Sequence, residues 1–241
     1  MTSAANADDV SGIAVKQFLT FVLAALAGFA GAAAWSLTGL GHAQTRDYLL
    51  ANPDILPEMA DAFRAQEARE ALASVSADVR VPFTGAVLGN PQGSKVLVKF
   101  TDYGCGYCRA SVADIDRLIA ADPDLKVVVR ERATFPGSEA AARMALAAAK
   151  QGKYDAFYHA LFAQGTPSEA TIATAARRAG LDMEAAQDFA RTEAVTKELV
   201  RNDDYAQALG IPGTPSWIYG DTVFEGAVGY DAMARIVLGQ I

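Results

Sequence analysis

The feature that most constrains this chain is an apolar run on consecutive positions, Val96-Leu97-Val98. It leads through Lys99-Phe100-Thr101-Asp102-Tyr103-Gly104 directly into Cys105-Gly106-Tyr107-Cys108. Consecutive apolar residues suit a strand buried on both faces, as in a sheet covered by helices. Val112, Ile115, Leu118 and Ile119 follow at helical spacing, and Leu125–Val129 is a second run rich in β-branched residues. The reading is a strand–helix–strand unit with the cysteines at the helix start, and hence an α/β fold.

The neighbouring segments extend that unit. Ala86–Leu88, the turn Asn90-Pro91-Gln92-Gly93 and Lys95–Phe100 read as strand, hairpin and strand. Residues 138–209 are Ala-rich and punctuated at Gly152, Gly165-Thr166-Pro167 and Gly180, with Ser168 and Asp182 as caps, which predicts an inserted block of four or five helices. After Ile211-Pro212-Gly213-Thr214-Pro215 come the runs Ser216–Tyr219 and Thr222–Phe224 and a closing helix from Tyr230.

The N-terminal region is organised differently. Phe18 to Leu40 runs 23 residues without a charge, enough helix at about 1.5 Å per residue to cross a hydrocarbon core of about 30 Å. Its length favours an uncleaved anchor, while Gly41-His42-Ala43 offers the small residues a signal peptidase reads. Lys16 before the span and Arg46 after it leave the orientation nearly tied on charge. Asn52-Pro53-Asp54 reads as a helix start, with Asn52 as cap and Pro53 at the first helical position. The helix that follows places Leu56, Met59, Phe63 and Leu72 near one face, either to pack on its own domain or to join copies of the chain. The expected organisation is a tail and anchor or signal segment at 1–43, an amphipathic leader helix region at 44–80, and the main domain at 81–241.

The cysteines carry the chemistry. There are two in the whole chain, whereas a disulfide scaffold spreads an even set along the sequence. A structural zinc site would need two more soft ligands, and the only histidines are His42, in the flank of the apolar span, and His159, read as a partly exposed helix residue. No metal and no cofactor are expected. Dithiol chemistry needs one sulfur exposed and ionised to attack and a second to resolve the mixed disulfide. A C-x-x-C opening a helix supplies both, because unpaired N–H groups at the helix start stabilise a thiolate on the first cysteine. Cys105 is therefore the expected nucleophile and Cys108 the resolving thiol. Gly213-Thr214-Pro215 before a strand suits a cis peptide bond. Facing the cysteines, the Thr214 backbone would pair with an extended substrate segment. The net charge of −7, without a basic cluster, argues against a nucleic-acid partner.

Phe100 to Arg109, the helical block and Thr214-Pro215 together resemble the DsbA-like family of the thioredoxin superfamily over about Ala86 to Ile241. The resemblance implies a thioredoxin fold interrupted by a helical domain, with a cis Pro215 beside a redox-active dithiol. Oxidase members commonly carry Pro-His between the cysteines. Here Gly106-Tyr107, as redox-tuning residues, and Thr214 before the proline are similar to the periplasmic isomerase DsbC. Many relatives place an acid six positions before the first cysteine, where this chain has Lys99, a residue that turns to water if the strand register shifts by one. Tyr48-Leu49-Leu50-Ala51-Asn52-Pro53 and the helix after it resemble the leader of trimeric suppressor-of-copper-sensitivity proteins. That implies a dimer or trimer through residues 45–75 and isomerase rather than oxidase behaviour. Exported proteins with cysteines would be the substrates, a membrane or periplasmic protein the redox partner, and the periplasm or extracytoplasmic face the location. A different class of function is a copper(I)- or peptide-binding protein that uses the same pair without turnover. A purely structural disulfide is disfavoured, since so small a loop gains little chain entropy.

Overall fold

A computed structural model of the chain describes residues 7–38 and 40–239 and divides it into two compact units, residues 1–62 and 63–241. In the first, α1 (Ala7–Thr38) contains the stretch Lys16–Trp35, long and apolar enough to cross a membrane. Its large side chains, Phe18, Phe21, Phe29 and Trp35 among them, are exposed. Gly39, inside the expected span, and the His42 side chain lie outside the described residues.

The next helix, α2 (Leu40–Ala51), ends where a helix start was expected, and α3 (Ile55–Val79) begins only after a turn. Asn52 closes α2 rather than opening α3: its backbone N–H and its side-chain amide both donate to the Tyr48 carbonyl. Pro53 and Asp54 form the turn, and the Ile55 and Leu56 amides return to the carbonyls of Asn52 and Pro53.

The second unit holds a five-stranded sheet of order β1-β3-β2-β4-β5. Its members are β1 (Val87–Gly89), β2 (Lys95–Thr101), β3 (Leu125–Glu131), β4 (Ser216–Tyr219) and β5 (Thr222–Glu225). β2 and β3 run parallel in the register Lys95↔Leu125 through Thr101↔Glu131, and the other pairs are antiparallel. The expected hairpin between the first two strands does not form. The turn at Asn90–Gly93 is present, but Ser94 donates from its amide and hydroxyl to Asp124 at the entry to β3, so β3 lies between β1 and β2.

α4 (Gly106–Ala110) and α5 (Val112–Ala121) cross from β2 to β3, with a break at Ser111 where a single helix was expected. Ser111 turns its hydroxyl back onto the Cys108 carbonyl, an alternative to the helical ladder that short hydroxyl side chains offer. The insertion between β3 and β4 comprises α6 (Ser138–Lys150), α7 (Tyr154–Phe162), α8 (Glu169–Arg178), α9 (Met183–Ala190) and α10 (Glu193–Ala208), and α11 (Tyr230–Val237) closes the fold. Ser168 and Asp182 cap α8 and α9 as read from the sequence. Gly180, after α8, takes the left-handed φ of +70° that favours glycine.

Strand alternation divides the core between the two faces of the sheet. Leu97, Val127, Val129 and Trp217 belong to the larger core that includes α6 and α7. Val98, Phe100, Val128 and Ile218 pack with Leu72, Val79, Ala206 and Ile211. On this second face lies Arg130, 1% exposed. Its guanidinium donates to the carbonyls of Asp78, Val79 and Val81, satisfying acceptors at the end of α3. It also donates to Glu198 at 2.7 Å and to Asn202, both on α10. Replacing Arg130 by Met should lower unfolding free energy by about 3–5 kcal/mol, because the buried Glu198 keeps only the half-exposed Arg201 as a cation and the carbonyls ending α3 lose their donors. The urea midpoint measures this, and Glu198→Gln should shift it less.

Candidate functional site

The site forms where β2 ends. Asp102, buried at the exit of the strand, binds both sides of the approach. Its carboxylate accepts from the Gly104 amide at 2.8 Å, and from the Thr134 amide and hydroxyl and the Phe135 amide beyond β3. Its own carbonyl accepts from the Cys105 amide. Gly104 allows the close approach that follows: a Cβ there would lie 2.7 Å from Phe135 Cβ and from Ser138 Oγ.

Cys105 is the N-cap of α4, with extended φ −82° and ψ 120°. Its thiol donates to the Thr214 carbonyl at 3.1 Å, and the Thr214-Pro215 peptide is cis. Two segments more than a hundred positions apart thus meet at the sulfur. The expectation of an exposed first cysteine is corrected: Cys105 is only 4% exposed, because the Thr214 segment lies against it. Gly106 is exposed, and Tyr107 is 71% exposed.

Cys108 is fully buried on the inner side of α4. Burial pushes its thiol above the ordinary range, opposed first by the charge of Lys99. The Asp102 amide donates to its sulfur at 3.5 Å. Neither Thr101 Oγ1 nor Thr214 Oγ1, both buried, has a fully formed hydrogen bond. Both lie against the Cys108 sulfur, where they ease its ionisation.

Behind Cys108 is a buried polar cluster that the sequence reading did not assemble. Lys99 is fully buried, so the register places it inward and not toward water. Its ammonium donates to the Tyr158 hydroxyl at 2.5 Å and to Ser111 Oγ at 3.2 Å. It lies 5.1–5.5 Å from the ring centres of Tyr158, Phe162 and Trp217. Burial lowers it to about 8, against the pull of Cys108 and then Glu131. Glu131, at the end of β3, accepts from the Tyr103 and Tyr154 hydroxyls at 3.1 and 2.6 Å. Burial raises it to about 8, although those two hydrogen bonds favour the carboxylate. The signal available in sequence was a period of two: Lys99 alternates with Leu97 and Thr101, and Glu131 with Val127 and Val129.

His159 lies on α7 and bridges to Asp116 of α5 at 2.9 Å. Burial works against its ionisation, but hydrogen bonds to Asp116 and the Asp155 carbonyl outweigh that and raise it.

The chain is similar to known proteins. Residues 96–237 match the DSBA-like thioredoxin domain, and residues 42–70 match the copper resistance protein ScsC N-terminal domain. A thioredoxin-like oxidoreductase from Silicibacter pomeroyi DSS-3 is 40% identical, with a TM-score of 0.61, over 64% of this chain and 90% of that one. A linker-deleted mutant of Proteus mirabilis ScsC is 28% identical, with a TM-score of 0.69, over 82% of this chain and 92% of that one. The thiol-disulfide exchange protein alpha-DsbA2 from Wolbachia pipientis is 27% identical, with a TM-score of 0.66, over 73% and 97% respectively. Among curated proteins none matches.

The two displaced ionisations give opposite pH trends. Glu131 keeps its proton up to about 8 instead of the ordinary 4.5. Between those values the folded chain holds the extra proton, so stability falls as pH rises. Lys99 loses its proton at about 8 instead of 10.5, so above 8 the unfolded chain holds the extra proton and stability rises again. The urea midpoint plotted against pH should dip near pH 8, and Glu131→Gln should make the descending limb shallower.

Proposed function

The chain belongs to the DSBA-like thioredoxin domain family, and from that premise we propose that it is a thiol–disulfide oxidoreductase acting on exported proteins. The observation that carries the proposal is the Cys105 thiol on the Thr214 carbonyl beside cis Pro215, with Cys108 enclosed behind it. In the reducing direction the Cys105 thiolate attacks a substrate disulfide. One new S–S bond joins Cys105 to the substrate, and the departing substrate sulfur leaves with the electron pair and takes up a proton. Cys108 then attacks Cys105, closing the Cys105–Cys108 bond and releasing the second substrate thiol. The reverse sequence oxidises a dithiol. Thr214 and Pro215 are the substrate-binding residues, with the substrate laid extended along their backbone.

Of the two directions we favour isomerase and reductase over oxidase. Gly106-Tyr107 puts no histidine between the sulfurs, and residues 42–70 match the ScsC N-terminal domain. Tyr48, Leu50, Leu56, Met59 and Phe63 are exposed apolar side chains within 45–75. That supports a homo-oligomer, dimer or trimer, through the leader region. The apolar helix α1 supports an extracytoplasmic location, with residues 81–241 as the exported catalytic domain and a membrane or periplasmic protein resetting its redox state.

In detergent, the reduced full chain should accelerate reactivation of a scrambled disulfide protein. Cys105→Ser should fall to the uncatalysed rate, while Cys108→Ser should accumulate a covalent complex with the substrate that dithiothreitol releases. A Cys105→Ser variant as active as the parent would falsify the proposal.

A further inference from the structure

The end of β3 fastens α10 to the sheet. Arg130 reaches Glu198 and Asn202, the Asn202 side-chain amide donates back to the Glu131 carbonyl at 3.0 Å, and Arg132 lies 3.5 Å from Asp203. Arg132 carries this bracing past the helix. Its backbone amide donates to the Thr101 carbonyl at 2.8 Å, which roots it at the end of β2, and its Nη1 donates to the Ile211 carbonyl at 3.0 Å. Ile211 begins the approach to the cis peptide, and its own amide donates to the Ala206 carbonyl at the end of α10. Further along, Ser216 Oγ donates to the Gly213 carbonyl and the Gly226 amide to the Pro215 carbonyl, both at 2.8 Å. The Thr214 carbonyl between these anchors receives the Cys105 thiol. That bond needs the proton on sulfur, so it is lost whenever Cys105 is a thiolate or is joined in a disulfide. Through those stages the segment is held by its flanking anchors, with Arg132 on the upstream side.

We propose that Arg132 is a positioning residue for polypeptide binding: by holding the Ile211 carbonyl it keeps the Thr214 backbone in place for an extended substrate while Cys105 reacts. The inference rests on Thr214 and Pro215 being the substrate-binding residues, as proposed above. Arginine suits the position because its fork faces two acceptors at once. Nη1 takes the Ile211 carbonyl, while Nε, buried and without a fully formed hydrogen bond, faces Asp203. Asp203 is 62% exposed, so that pair contributes little, and the charge-assisted bond to the carbonyl is the firmer contact. A lysine, with a single ammonium, would serve the carbonyl or the carboxylate in turn. Arg132 lies on the face of the sheet opposite Lys99 and Thr101, the face of Arg130, so its effect passes through the segment before Thr214 and not through the buried polar cluster behind Cys108.

The reduced full chain in detergent, given a peptide closed by one disulfide, tests this. In Arg132→Met the half-saturating peptide concentration should rise about fivefold, the loss expected for one hydrogen bond, while the plateau rate stays that of the parent. Reduction of dithiodipyridine, a neutral disulfide with no peptide backbone, should be unchanged. Arg132→Lys should restore part of the loss. Asp203→Asn leaves the Ile211 contact in place and should shift the half-saturating concentration by less than about twofold. A Met variant that saturates like the parent overturns the proposal. So does one that slows dithiodipyridine as much as the peptide, since Arg132 would then serve the fold or the cysteines and not peptide binding. An Asp203→Asn variant as impaired as Met also overturns it, because the carbonyl contact would not be what matters. If the Met variant has lost its urea transition, Arg132→Gln decides on the same criteria. A parent that reduces dithiodipyridine but not the peptide counts against the proposed function and takes this inference with it. A parent that reduces both, with variants that match it, overturns this inference alone.

Discussion

The parallel pairing of β2 with β3, in register from Lys95↔Leu125 to Thr101↔Glu131, is the constraint on which the rest depends. Parallel strands need a crossover, and here α4 and α5 supply it, which puts the cysteine pair at the end of β2. The period of two then assigns every side chain near that end. Thr101, Val129 and Glu131 share the face of Lys99, whereas Phe100 and Arg130 share the other. A slip of one residue would exchange these sets. It would drive Arg130 toward the Cys108 side and take Lys99 and Glu131 away from the tyrosines of α7.

Besides Asp102, three charged side chains therefore stand buried, Lys99 near the end of β2 and Arg130 and Glu131 at the end of β3, and each is accommodated by a different means. Arg130 has enough donors to satisfy the carbonyls ending α3 and to pair with Glu198, a fixed fork that a lysine could not replace. Glu131 remains largely neutral near pH 7 under two tyrosine hydroxyls. Lys99 is surrounded by hydroxyls and ring faces, which stabilise a cation without neutralising it. Lys99 thereby keeps its charge beside groups able to ionise, Cys108 first and then Glu131.

The features legible in the sequence were local ones. The apolar run before C-x-x-C, the caps at Ser168 and Asp182, the helical block and the proline after Thr214 each follow from residues a few positions apart. What escaped was settled by distant partners. Asn52 has the chemistry of either helix end, and only its bonds to Tyr48 show that it closes α2. The place of β1 depended on Asp124 drawing Ser94 to the entry of β3. The end of β3 was read too early, at Val129, because Arg130 and Glu131 look like loop residues until Glu198, Tyr103 and Tyr154 are seen to receive them. Lys99 posed the same problem. The sequence put it at the position of a buried acid in relatives and left its exposure to the strand register, and the partner that receives it, Tyr158, is 59 positions away.

The arrangement makes the two sulfurs unequal in a specific way. Gly106 and Tyr107 bring no formal charge between them, so the front of the pair offers backbone, the Thr214 carbonyl and an exposed aromatic ring. The ionisable groups lie behind, on the buried side of Cys108, where Coulomb interactions are screened far less than at a surface. A charge placed there bears first on the buried Cys108. For the dithiol exchange proposed above, the substrate would meet Thr214 and Pro215 at the front of the pair, away from the buried charges behind Cys108.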